Sequence, residues 1–321
     1  MSSQIPRPPL NPELEHVHKA LPHVGISTKE ELEAYRQFLG NFTLDTIFQG
    51  KEDAISYEET DIPGPAGPMK TTIFRPKHQT LSAEETPGIL HIHGGGLTTG
   101  NRFMGLTMLN WVEALGATII TAEYRLAPEH PQPAALEDSY AALQWMSENA
   151  SKLGFNPNKL IITGGSAGGT LAAGLSLLAR DRSGPKICGQ LLSYPWVNDR
   201  AQTLSRKQFA DLLPWVETNT IHTSRYALGE NGEYATMYSV PATATDFSGL
   251  PPTFIDVGEA DSFRDEDINF ASALWKAGVP TEFHVWPGCW HGFDMFVPDA
   301  PVSRQAAATR LEWLRKLVSR S

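Results

Sequence analysis

Two rhythms of apolar residues alternate along this chain. Short apolar or alternating runs bounded by turn residues predict strands at 54–59, 70–74, 89–93, 118–122, 159–163, 189–194, 253–257 and 282–285. The first two flank the turn-forming stretch 61–68, which is rich in proline and glycine and predicts a hairpin-like start. From Gly88 onward, helical spacing takes turns with the strands. Leu136, Tyr140, Leu143 and Met146 share one face over 134–150, and Leu171, Leu175 and Leu178 another after Ser166. A helix over 265–277 stops at Gly278 and Pro280, and Leu311, Leu314 and Val318 face inward from a helix over 302–320. Such alternation predicts an α/β fold with a mostly parallel sheet of about eight strands, covered by helices on both faces.

Two regions stand outside that rhythm. Residues 1 to about 25 are rich in proline and histidine without a period, an arm whose order the sequence leaves open. A capping-box start at Ser27-Thr28-Lys29-Glu30-Glu31 follows, with Leu32, Tyr35 and Leu39 as an apolar stripe and Gly40 as a stop. Between Trp196 and Leu250 about fifty residues intervene, with helix-like pieces around 204–216 and 220–228. An insertion of that length in an alternating fold is usually a lid or binding element. The expected organisation is therefore an arm and cap helix over 1–50, then one catalytic domain over 51–321 with a cap insertion at about 197–250.

Composition narrows the functional classes. Of 321 residues 41% are hydrophobic, enough for a sizeable core, and 36 acidic against 26 basic residues give a net charge of -10 without a basic cluster. Nucleic acid and anionic membranes are thus poor partners. No apolar run approaches the roughly 18 residues of a membrane span, and the N-terminus lacks a secretory apolar core. A cytoplasmic location without stable membrane insertion is expected. Cys188 and Cys289 are too few for a disulfide framework and are expected to be reduced.

Two glycine runs carry the chemistry. Gly164-Gly165-Ser166-Ala167-Gly168-Gly169 links a predicted strand to a predicted helix, the context in which a glycine-flanked serine is lifted clear of the sheet as a nucleophile. His93-Gly94-Gly95-Gly96 follows another strand and leaves backbone N–H groups free to face an oxyanion. Counted from Gly94 and Gly96, the third glycine of a dinucleotide fingerprint should fall at Thr99 and falls at Gly100 instead, and neither run continues as a phosphate loop. His91 and His93 point to one side of a strand, but no third ligand at a recognised spacing completes a metal site, and no metal or cofactor is expected.

A serine nucleophile needs a base and a carboxylate to orient it, here expected in the order serine, acid, histidine. Asp261 lies just past the strand 253–257 and His291 just past 282–285. Asp256 falls within a strand, and Asp265 and Glu266 open a helix, which leaves Asp261 with Glu259 as its weaker rival.

These residues resemble the hormone-sensitive-lipase-like carboxylesterases of the α/β-hydrolase fold. The resemblance covers about residues 88–295. It rests on His93-Gly94-Gly95-Gly96, on Tyr124-Arg125-Leu126-Ala127-Pro128-Glu129-His130-Pro131 running into Pro133 to Asp138, on the segment around Ser166, on Asp261 with Arg264-Asp265-Glu266, and on His291-Gly292-Phe293. It implies Ser166 as nucleophile, His291 as general base, Asp261 as its orienting carboxylate, and the N–H groups of Gly95, Gly96 and Ala167 as the oxyanion hole. It also implies a helical cap, a small-molecule ester substrate of short to medium acyl chain, and no cofactor. A homodimer stays open. Two departures from the family pattern are Gly165, where an acidic residue is frequent, and Asn198 in Asn198-Asp199-Arg200.

Trp196, Phe209, Trp215, Trp290 and Phe293 fall near the insertion or the histidine loop and are expected to line an apolar acyl or alcohol site, although each taken singly equally suits a core. The same three side chains would also serve amide, lactone or carbon–carbon bond cleavage, and the fold also carries non-catalytic receptors.

Overall fold

The period-2 pattern of the central strands becomes two packed faces of one sheet. The structure, a computed structural model, describes residues 5–23, 25–105 and 109–320; positions 1–4 and 24 of the arm lie outside the described residues. The chain runs α1 (Glu15–His18), α2 (Lys29–Leu39), α3 (Leu44–Phe48), β1 (Ile55–Gly64), β2 (Gly67–Pro76), β3 (Gly88–Ile92), α4 (Asn110–Leu115), β4 (Thr118–Ala122), α5 (Ala134–Glu148) and α6 (Ala150–Leu153). It continues through β5 (Leu160–Gly165), α7 (Ala167–Asp181), β6 (Gly189–Ser193), α8 (Leu204–Gln208), α9 (Glu217–Leu228), β7 (Thr253–Gly258), α10 (Arg264–Lys276), β8 (Thr281–Trp286), α11 (Phe293–Phe296) and α12 (Pro301–Val318).

The strands form one eight-stranded sheet in the order β1-β2-β4-β3-β5-β6-β7-β8. The six from β3 to β8 run parallel, and β1 and β2 join antiparallel at one edge. Alternate residues go to opposite sides. Ile89, Ile119, Ile161, Leu191 and Phe254 pack with Trp111 of α4 and Trp313 and Leu314 of α12. Their neighbours Leu90, Ile120, Ile162, Leu192 and Ile255 pack with Leu143 of α5, Leu171 and Leu175 of α7 and Phe270 of α10. Because β3 has β4 on one side and β5 on the other, the chain leaves those two neighbours in opposite directions, and a crevice opens at the carboxyl ends of β3 and β5.

Two local expectations change, and the arm, whose order the sequence leaves open, takes a defined place over its described residues. Strands β1 and β2 pair straight through the stretch predicted as a turn, with Pro63 opposite Pro68 and only Pro65 and Ala66 left to reverse the chain. Proline is tolerated there because β1 is an edge strand, and β2 bonds β4 only over Thr71–Phe74, beyond Pro68. Of the predicted helix over 204–216 only Leu204–Gln208 is helical. Pro214 lacks an N–H and disfavours helix at the residue before it, so turns intervene before α9. The arm is an ordered strap. Asn11 N–H donates to Gly288 O at 2.9 Å, and Leu14 is fully buried among Trp286, Cys289, Trp290 and Phe293.

Helix α2 starts as its sequence predicts. Thr28 Oγ1 accepts from Glu31 N–H, whose carboxylate accepts from Thr28 N–H, and Leu32, Tyr35 and Leu39 are buried. They pack against the 197–250 segment: Tyr35 meets Trp215 at 5.9 Å between ring centroids, and Tyr226 Oη donates to Ile26 O. Both segments so cover the carboxyl ends of the strands.

Candidate active site

Ser166 sits between β5 and α7 at φ 55° and ψ -124°, a region that disfavours side chains and costs about 1–3 kcal/mol. Its small neighbours make this turn feasible. A Cβ on Gly164 would lie 2.3 Å from Gly168 O, and one on Gly168 would lie 2.1 Å from Ile92 O, so strand, helix and glycine loop touch through backbone alone. Ser166 N–H donates to Ser193 O at 2.9 Å, which ties the turn to the end of β6.

The other two candidates arrive on adjacent loops. Past β7, Asp261 Oδ1 accepts from Phe263 N–H at 2.9 Å. Past β8, His291 Nδ1–H donates to Asp261 Oδ2 at 2.8 Å, which leaves Nε2 to accept from Ser166 Oγ at 2.9 Å. The loops are laced together: Glu259 N–H donates to Trp286 O, Ala260 N–H donates to Cys289 O, and Gly288 N–H donates to Glu259 Oε2. Glu259, the rival acid, is therefore spent on backbone. Asp265 accepts from Ser205 N–H and from Arg264, while Glu266 accepts from Arg206.

Gly95 and Gly96, at φ 106° and 63°, border the same cavity as Ser166. Gly95 O accepts from Thr99 N–H and Thr99 Oγ1, which fixes the loop by its carbonyl side. Ala167 opens α7, where an amide has no partner within the helix. The Tyr124–Asp138 segment braces this loop from below. Tyr124 Oη donates to His93 O at 2.9 Å, its ring stacks on His93, and Arg125 pairs in two-pronged fashion with Asp138 at 2.8 Å. The rings of His91 and His93 do not converge. Burial pushes His91 down to about 4, its Nε2–H donates to Met104 O, and Nδ1 accepts from Thr163 Oγ1. His93 Nδ1–H donates to Gly94 O.

The cavity above Ser166 opens to solvent. Tyr35, Leu39, Pro214 and Trp215 roof it. Of the five aromatic residues expected to line it, only Trp215 does so. Trp196 is buried in the main core, Phe209 is buried outside the cavity wall, and Trp290 and Phe293 pack with Leu14 of the arm. Nearness in sequence to a loop does not decide which way a ring points; here large apolar rings filled core space instead. Burial raises the Cys289 thiol above its ordinary value.

Sequence reasoning missed a charged group beneath the site. Arg310 of α12 donates from Nε to Asp256 Oδ2 at 2.8 Å and from Nη1 to Asp294 Oδ2, and all three residues are buried. Burial raises Asp256 from its ordinary value although Arg310 opposes the shift. A second such group joins the 197–250 segment to α10: Arg206 pairs with Glu266 at 3.0 Å, and burial pushes that carboxyl up to about 8. Strand and helix periodicity singled out apolar positions only, so an arginine on the last helix gave no signal.

A hydroxyl hydrogen-bonded to an imidazole that is itself bonded to a buried carboxylate, beside a glycine loop that borders the same cavity, is equipped for acyl transfer. Residues 89–295 match the family model described as alpha/beta hydrolase fold. The chain is 34% identical over 315 residues to the esterase LipI of Mycobacterium tuberculosis, covering 96% of this chain and 95% of that one. It is 36% identical over 244 residues to the carboxylesterase NlhH of the same organism, covering 73% and 74%. The solved structure of a bacterial heroin esterase superposes with a TM-score of 0.88 at 34% identity, over 96% of this chain and 98% of that one. Among the described residues no helix is long and apolar enough to cross a membrane. By sequence, sheet topology and the placement of these residues, the chain belongs to the hormone-sensitive-lipase-like carboxylesterase family of the α/β-hydrolase fold.

Proposed function

We propose that the protein hydrolyses small carboxylic esters of short to medium acyl chain through Ser166, His291 and Asp261. The observation that carries this reading is the unbroken hydrogen-bond line from Asp261 through His291 to Ser166. Ser166 Oγ attacks the ester carbonyl while its proton passes to His291 Nε2, and Asp261 holds the imidazolium. The oxyanion is met by the N–H groups of Gly95, Gly96 and Ala167. His291 then protonates the leaving alcohol, and water repeats the sequence on the acyl-enzyme to release the acid and restore Ser166.

Residues 29–39 and 197–250 act as the cap. Trp215 supports a short acyl range, because it stands so close over the glycine loop that a Cβ on Gly96 would lie 2.5 Å from its ring. Purified Ser166→Ala protein should lose turnover of a nitrophenyl ester by on the order of 10⁶ and fail to react with a fluorophosphonate. Retention of most activity would sink the assignment. A panel of nitrophenyl esters of graded acyl length, with amides and lactones beside them, fixes the bond and the chain length.

A further inference from the structure

His291 stands on the loop between β8 and α11, where Gly292 beside it and Gly288 three residues before take φ 71° and 63°. Turn bonds from Cys289 N–H to Trp286 O and from Phe293 N–H to Trp290 O hold the backbone. The direction of the imidazole is set by what its ring meets beyond the loop.

The buried group around Arg310 reaches every element needed. Asp294 is three residues past His291, and Asp256 is five before Asp261. Trp286, five before His291, donates from Nε1 to the same Asp256 oxygen that Arg310 uses, at 2.9 Å. The guanidinium also lies 5.9 Å from the ring centre of Tyr194, and that ring meets the His291 imidazole edge-on at 5.0 Å. Tyr194 is itself held at φ 39°, with its N–H donating to Asp256 O. On the opposite side Phe263 closes the imidazole in at 4.9 Å. One guanidinium therefore bonds the strand that leads to the acid and the turn that follows the base, and touches the ring on which the base rests. A buried ion group is weak evidence for stability, since well-packed apolar residues of the same volume often do as well. Its geometry accounts for it differently.

We propose that Arg310 is a positioning residue for His291, which through Asp294, Asp256 and Tyr194 keeps the imidazole in line between Asp261 and Ser166. The proposal rests on the reading of those three residues given above.

Arg310→Met keeps the length of the side chain and removes its donors. Measured where circular dichroism shows it folded, it should lower kcat on a nitrophenyl ester by on the order of 10²-fold with KM within about threefold, the expected cost of a misplaced reacting group. The downfield proton resonance of His291 Nδ1–H should shift or broaden, which a loss of global stability alone does not produce. Arg310→Lys, which keeps the charge and one donor, should recover part of kcat. Folded Arg310→Met with kcat within about threefold of the parent and an unchanged resonance overturns the proposal. If Arg310→Met does not fold, Arg310→Lys and Asp294→Asn decide: a kcat lowered about fivefold or more at unchanged KM supports it, and parental kcat in both overturns it. Ser166→Ala run alongside separates the two readings. Activity retained there removes the triad and this proposal with it, whereas an inert Ser166→Ala beside a fully active Arg310→Met removes this proposal alone.

Discussion

The two halves of the site are built by different physics. On the nucleophile side, Ser166 is placed chiefly by backbone touching backbone, Gly164 against Gly168 and Gly168 against Ile92, with Thr170 Oγ1 donating to Ser166 O. On the base side, His291 is placed by side chains from many elements: Tyr194 just past β6, Asp256 of β7, Phe263 just before α10, Trp286 of β8, Asp294 of α11 and Arg310 of α12. The first rule asks only for missing side chains, at Gly164 and at Gly168 where the backbone of Ile92 comes close. A web of buried charges needs all its members. The first kind of order tolerates no added atom, while the second should yield in steps.

The sharpest break is expected at Gly168. Its missing Cβ would sit 2.1 Å from Ile92 O and 2.6 Å from His93 O, both backbone atoms that cannot rotate away. Gly168→Ala must push the glycine loop off the start of α7, which parts Gly95 and Gly96 from Ala167. A stability loss of about 3 kcal/mol is expected by urea unfolding. Turnover should fall by on the order of 10²–10³, the cost of losing an oxyanion donor. Parental stability would show that the close approach is not the constraint described.

That contrast also explains what the sequence could and could not disclose. Strand positions and the glycine-flanked elbow were legible, because each depends on residue types within a few positions of one another. The sequence sets Asp256 aside because it falls in β7; the structure places Asp261 against His291 and Asp256 against Arg310, 54 positions away. Arg310 lies one residue from Leu311 on a helix read only for its inward Leu311, Leu314 and Val318. No local pattern marks such a partner. The aromatic residues failed for the same reason: Trp290 and Phe293 adjoin His291 in sequence but are claimed by Leu14 of the arm, almost three hundred residues earlier. The arm itself shows no period because, apart from the single turn of α1, its described residues lie as a strap.

A test of comparable size uses pH on the floor of the site. Burial holds His91 down to about 4 from its ordinary 6.5, so the native imidazole stays neutral where the unfolded one takes a proton. Between those values the unfolded state binds more protons, and stability must therefore rise with pH. The contribution is complete above pH 6.5 and is lost as pH falls toward 4, by about 3 kcal/mol in total. Urea unfolding of the parent and of His91→Gln at pH 7 and pH 4.5 measures it. The variant should lose less stability on acidification, whatever its stability at pH 7. Equal slopes would mean that the native imidazole is protonated, and that the floor is wetter than its burial implies.

The smallest effect is the one that joins the two halves. Gly165 has no positive φ, so alanine suits its backbone, and its Cβ would lie 3.3 Å from Tyr194 Cε2. That is tight but not prohibitive: the ring has to give by a few tenths of an ångström, and it gives toward His291 on one side and Arg310 on the other. Gly165→Ala should therefore cost less than about 1 kcal/mol in unfolding experiments and lower kcat by only a few fold. Its value lies in combination. If the elbow and the base side were independent, Gly165→Ala and Arg310→Lys would add in kcat/KM to within about 0.3–0.5 kcal/mol. Contact through Tyr194 predicts a coupling above about 0.5 kcal/mol, since the ring displaced by the first change is the one the guanidinium no longer steadies after the second. Strict additivity would leave the nucleophile and its base as two separately built halves that merely face each other, with Tyr194 as packing between them.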